Sequence, residues 1–104
     1  MYQLVYYVPG SHLAITKEKL FEIGAGNDGQ YCCCAWQTKG QGQFLPQGDA
    51  KPYIGQNNEI NYVEEYKVEL LVSDNLIEKA IAILQEHHPY ETPAFSAWKL
   101  VFHG

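Results

Sequence analysis

The chain has 104 residues, 46% of them hydrophobic, which suits one domain built round one core (residues 1–104). Its formal net charge is −5 and all seven basic residues are lysines, which disfavours a nucleic-acid partner, since such a partner calls for a basic face and arginine forks. No apolar run approaches the ~20 residues of a membrane span, and Met1-Tyr2-Gln3-Leu4 lacks the positive region of a secretory signal, so a cytoplasmic protein with no membrane partner is expected.

Residues 2–8 form a β-branched and aromatic run closed by Pro9-Gly10, which predicts a strand and a turn. Ser11 is the expected N-cap of a helix over residues 12–23, because Leu13, Thr16, Leu20 and Ile23 recur at helical spacing and Gly24 follows. The run Gly24-Ala25-Gly26-Asn27-Asp28-Gly29 spells the G-x-G-x-x-G of a dinucleotide site. That site needs a strand before it and a helix after it, whereas here the order is reversed, so a structural turn is expected.

Residues 31–37 read as extended, with Tyr31, Cys33 and Ala35 on one face and Cys32, Cys34 and Trp36 on the other. Residues 38–42, with Gly40 and Gly42, predict a hairpin tip, and residues 43–45 a return strand. Residues 46–58 are rich in Gly, Gln, Asn and Pro and predict a long surface loop, the kind of segment used for ligand or subunit contacts.

Tyr62 to Val72 alternates Tyr66, Val68, Leu70 and Val72 with Glu65, Lys67, Glu69 and Leu71, which predicts a strand with one buried face and one mostly charged face. Ser73 is the expected cap of a second helix over residues 74–87, marked by Ile77, Ala80, Ile81 and Leu84. Pro89 disfavours helical geometry at His88 and ends it. Residues 94–102, with Phe95, Trp98, Leu100 and Phe102, close the chain as a strand. The order predicts an α+β ferredoxin-like βαββαβ sandwich with two helices on one face of an antiparallel sheet, plus a β-hairpin and long-loop excursion. The uncovered sheet face then predicts a homo-oligomer.

Several stretches together, Gly24-Ala25-Gly26, Gly40-x-Gly42-x-Phe44-x-Pro46, Pro52-Tyr53-Ile54-Gly55 with Glu64-Glu65, and above all His88-Pro89-Tyr90-Glu91-Thr92-Pro93-Ala94-Phe95, resemble one family. It is the PII/CutA-like domain inserted in the Nif-three-like proteins, which also occurs alone as YqfO-type proteins. The resemblance implies a PII/CutA-like fold and a tendency to form trimers, but no established activity. The family's two-metal site lies in a different domain, so no metal ligand carries over to this chain. Cys32, Cys33 and Thr92 depart from the family pattern, in which an Asp-His pair is common before the cysteine corresponding to Cys34 and an acid is frequent at position 92.

The prolines at 89 and 93 frame the candidate site: His87, His88, Tyr90, Glu91 and Thr92 are the ligand or subunit-interface candidates. A structural account competes with it, in which imidazole meets a helix C-terminus and Tyr90 packs. Cys32, Cys33 and Cys34 are contiguous and odd in number, so free thiols are expected, and buried apolar packing is favoured for them. A soft-metal site for Cu or Zn using Cys32, Cys34 and His88, assembled between copies, is the alternative. The leading functional expectation is a non-catalytic trimeric module that binds a small molecule or regulates a partner protein, with no cofactor. A small enzyme using His88 and Glu91 is the weakest reading.

Overall fold

Alternation in Tyr2–Val8 decides which way the first strand faces: Leu4, Tyr6 and Val8 are fully buried on one side, while Tyr7 stands on the other. The computed structural model describes residues 1–104, and this strand, β1, is a central member of its sheet. The remaining elements are α1 (Leu13–Glu22, preceded by a 3-10 turn at Gly10–His12), β2 (Trp36–Phe44), β3 (Asn61–Val72), α2 (Ile77–His87) and β4 (Phe95–Lys99). The strands lie in the order β2-β3-β1-β4 and every neighbouring pair is antiparallel. The four strands and two helices make up the ferredoxin-like arrangement expected.

The core fills the space between one sheet face and the helices. In register, Leu4 faces Leu70 and Tyr6 faces Val68, and these side chains meet Leu20 from α1 and Ile77, Ala80 and Leu84 from α2. Fully burying side chains of this size stabilises by about 1.5–3 kcal/mol each. Tyr6 brings a polar group into the core and meets buried Thr16 there: its hydroxyl donates to Thr16 Oγ1 at 3.0 Å, and Thr16 Oγ1 in turn donates to the His12 carbonyl at 2.8 Å. Burial pushes the Tyr6 phenol up to about 12, against the opposing effect of the Thr16 bond.

Gly24 stops α1 as expected. With φ at +100°, it donates to Phe21 O at 3.0 Å while Ala25 donates to Leu20 O at 3.1 Å, the paired bonds of a Schellman motif. Gly26, φ +79°, then donates to Leu71 O and accepts from the Cys34 N–H. A Cβ on Gly26 would lie 2.8 Å from Cys34 O, so these glycines serve the close approach of two backbones, with a helix on the wrong side for a dinucleotide.

Several local expectations are overturned. There is no hairpin tip at 38–42 and no return strand at 43–45: β2 is one strand paired with β3 from Trp36↔Glu69 to Phe44↔Asn61. Gly42 is not a turn residue, since its missing side chain makes room for Glu65, whose carboxylate occupies the place a Cβ would take. Residues 31–35 are not a regular strand either, because Tyr31 folds back on Asp28 and Cys33 takes φ 58°, which breaks the alternation read for the cysteines. Cys32 and Cys33 are exposed and Cys34 is half-buried, contrary to the buried packing expected. Ser11 and Ser73 do not cap: their hydroxyls bond His12 Nδ1 and Asn75 Oδ1, and the helices start at Leu13 and Ile77 with no side-chain cap. The last strand stops at Lys99, where its partner β1 runs out at Tyr2, and Phe102 is left 89% exposed.

The molecule is long, 47 × 25 × 23 Å, for a reason visible in the register. β1 pairs with β3 only as far as Val8↔Tyr66, so residues 61–65 pair with β2 alone and form a two-stranded arm. The helix-free sheet face mixes exposed Trp36 and Trp98 with Lys67 and Glu69, and is less apolar than the sequence suggested.

Candidate functional site

Helix α2 delivers the candidate turn to the base of the arm. His88 leaves the helix with φ −80° and ψ 137°, the extended geometry that Pro89 demands, and its side chain folds inward to 6% exposure. The Tyr90 N–H donates to His88 Nδ1 at 3.1 Å, so Nδ1 is the unprotonated nitrogen; Nε2 then carries the hydrogen and donates to Tyr7 O at 2.6 Å. Both ring nitrogens are thus engaged by backbone. Burial holds His88 below the ordinary imidazole value, with the His12 charge acting the same way and the Tyr7 bond opposing. A neutral imidazole with both nitrogens occupied sets geometry and has no free lone pair for proton transfer.

The long loop closes over this turn. Residues 45–60 fold back on themselves through Asn58 N to Pro46 O at 2.7 Å, and Asn61 clamps the far end by exchanging hydrogen bonds with Gln56. Across 40 positions of sequence, the Lys51 N–H donates to Glu91 Oε2 at 2.7 Å. Aromatic rings continue the contact: His12 meets Tyr53 edge-on at 5.9 Å, Tyr53 meets Tyr90 at 6.2 Å, and Tyr90 meets His88 at 4.8 Å. The Tyr90 hydroxyl donates to Glu65 Oε2 at 3.3 Å, and burial followed by the Glu65 charge pushes that phenol up to about 12.

Loop, arm and turn together line a half-open cavity of about 430 Å³, within the range of small-molecule sites. Of the candidates in the turn, Tyr90, Glu91 and Thr92 line it; His88 packs against Tyr90 behind it; His87 does not line it and lies 3.7 Å from Glu86 instead. Residues not named as candidates also line it, among them Tyr7, Phe44, Tyr53 and Glu65. The stretches Pro52-Tyr53-Ile54-Gly55 and Glu64-Glu65, noted for their resemblance, carried that signal, although Glu65 was expected to be a solvated strand charge.

The cysteines lie elsewhere. They sit in the connection between α1 and β2, beside a more open depression at Cys34, Trp36 and Glu69. A side-chain hydrogen bond from Cys32 pushes the Cys33 thiol up, away from the thiolate that a soft metal prefers. No three His, Cys, Asp or Glu side chains within one chain are grouped to hold a metal ion, so Cys32, Cys34 and His88 do not come together there. No helix is long and apolar enough to cross a membrane.

No family model matches the chain. A Staphylococcus epidermidis protein named GTP cyclohydrolase 1 type 2 homolog is 38% identical over 99 residues, covering 95% of this chain and 27% of that protein. The chain thus spans about a quarter of the length of the curated relatives it matches. Among solved structures, a Bacillus cereus protein related to NIF3 superimposes with TM-score 0.82 at 28% identity, over 97% of this chain and 26% of the other. The PII-like protein CutA from Nostoc superimposes with TM-score 0.70 at 19% identity over 97% and 82% of the two chains, a likeness of fold alone. Motifs, topology and relatives agree that this chain has the PII/CutA-like fold and is similar, over nearly its whole length, to about a quarter of the NIF3-related proteins.

Proposed function

We propose that the chain is a non-catalytic, trimeric, small-molecule-binding module whose ligand occupies the cavity between residues 45–54 and the turn at 88–94. The cavity itself carries this reading: a long loop has been tied down by Glu91 and Asn61 over a turn made rigid by two prolines, leaving a half-open concave space. The non-catalytic part of the reading is supported by the state of two of its titratable groups. His88 has no free nitrogen and Tyr90 is held protonated, so neither serves as a base near neutral pH. The trimeric part rests on the two unpaired sheet edges, β2 and β4, and on Trp36 and Trp98, which are 69% and 48% exposed on the helix-free face.

Light scattering at micromolar concentration tests the assembly, with three chains expected and a monomer contradicting it. A thermal-shift screen of small molecules on wild type and on Tyr53→Ala tests the ligand site. Compounds that stabilise wild type and leave Tyr53→Ala unmoved are the expected result; compounds that stabilise both equally would place the ligand somewhere else.

A further inference from the structure

If the cavity is the ligand site, as proposed above, the chemistry of its wall selects among small molecules. Two carboxylates, Glu65 and Glu91, line it, and no lysine or histidine side chain does. Neither carboxylate has a basic group within 4.0 Å: Lys39 pairs with Glu64, Lys67 with Glu69, and Lys51 meets Glu91 through its backbone N–H and not through its ammonium. Each does have one neutral donor that fixes its position, the Tyr90 hydroxyl on Glu65 Oε2 at 3.3 Å and the Lys51 N–H on Glu91 Oε2 at 2.7 Å. An ionised carboxylate offers about four acceptor directions, so both retain capacity towards the cavity. The rest of the wall is largely aromatic and aliphatic, and includes Tyr7, Phe44, Tyr53, Ile54 and Tyr90.

A phosphate or carboxylate ligand would meet two like charges and no counter-charge, at a cost that the apolar walls do not offset. An uncharged apolar ligand would cover the two carboxylates and strip them of water without compensation. A cation on an apolar body satisfies both parts of the wall, because the carboxylates supply charge-assisted hydrogen bonds and tyrosine faces attract cations. We propose that the cavity binds a small organic ammonium ion, its cationic end against Glu65 and Glu91 and its apolar body against Phe44, Tyr53 and Tyr90. Tyr90 stays protonated across the physiological range, so it keeps donating to Glu65 and leaves the carboxylate oriented for the ligand.

The test is a titration of the 104-residue protein with three near-isosteric probes, 2-phenylethylamine, 2-phenylethanol and 3-phenylpropanoate, followed by amide NMR signals. The amine is expected to move Lys51, Tyr90 and Glu91 and to bind at least about tenfold more tightly than the alcohol, the worth of a hydrogen bond to a charged group. The propanoate is expected to move none of them. Glu65→Gln should weaken the amine about tenfold and change the alcohol by less than about twofold. Glu91→Gln carries the same test if Glu65→Gln lowers the melting temperature. Alcohol or propanoate binding at these signals as tightly as the amine would overturn the ammonium assignment and leave the cavity as a ligand site. If no probe moves them, both the assignment and the cavity reading fall.

Discussion

The two ends of this molecule are held together by different means. At one end, β1 and β3 press Leu4, Tyr6, Val68 and Leu70 against Leu20 and Leu84, and none of these side chains is more than 3% exposed. At the other, β2 contains no buried residue between Trp36 and Phe44, and order comes from strand ladders, the Asn61 clamp and a few hydrogen bonds such as Lys51 to Glu91 and Tyr90 to Glu65. Stability is therefore concentrated in the helix-covered half and the cavity lies in the lightly held half, where opening for a ligand costs least. His88 is the joint between them: its ring reaches back to β1 at Tyr7 and forward to Tyr90 in the cavity wall.

The largest effects should come from the packed end. Leu84→Ala is expected to cost about 2–5 kcal/mol in urea unfolding, because the α2 side of the core loses a fully buried side chain. Tyr53→Ala, at a residue 53% exposed, should cost under about 1 kcal/mol in the same experiment, and equal costs at the two sites would erase the distinction between the ends. Next comes the backbone crossing at Gly26, where alanine would need φ +79° and would press on Cys34 O; a loss of about 1–3 kcal/mol is expected.

The joint should show in pH. His88 titrates lower in the folded chain than its ordinary value of 6.5, so between the two values the unfolded chain binds more protons. Stability should be full above pH 6.5 and fall as pH drops through the folded value, and His88→Gln should flatten that decline in urea titrations. A decline of unchanged size in His88→Gln would assign it to other groups. The smallest effect belongs to the loop tether: Glu91→Gln should change stability by less than about 0.5 kcal/mol yet speed hydrogen exchange at the Lys51 amide.

The same division explains what was legible in the sequence. β1, α1, β3 and α2 announce themselves because burial on one side imposes a period, as in Leu4, Tyr6 and Val8 or in Ile77, Ala80 and Leu84. β2 has no buried side to impose one, so Gly40 and Gly42 looked like a turn when Gly42 was making room for Glu65. The cysteine run failed for a related reason, since alternation was assumed in a segment where Cys33 adopts φ 58°. At the site, the turn was legible from its two prolines and the loop from its composition. Their closure was not, because the contacts from Lys51 to Glu91 and from Tyr90 to Glu65 span 40 and 25 positions and leave no local pattern.

The most direct test of the central claim is where a ligand sits. Intermolecular NOEs should be recorded between the protein and the compound that most stabilises it. The cavity predicts contacts from the Tyr53 and Tyr90 rings, which stand 6.2 Å apart on its wall. Contacts from Trp36 or Trp98 on the helix-free face, with none from Tyr53 or Tyr90, would contradict it.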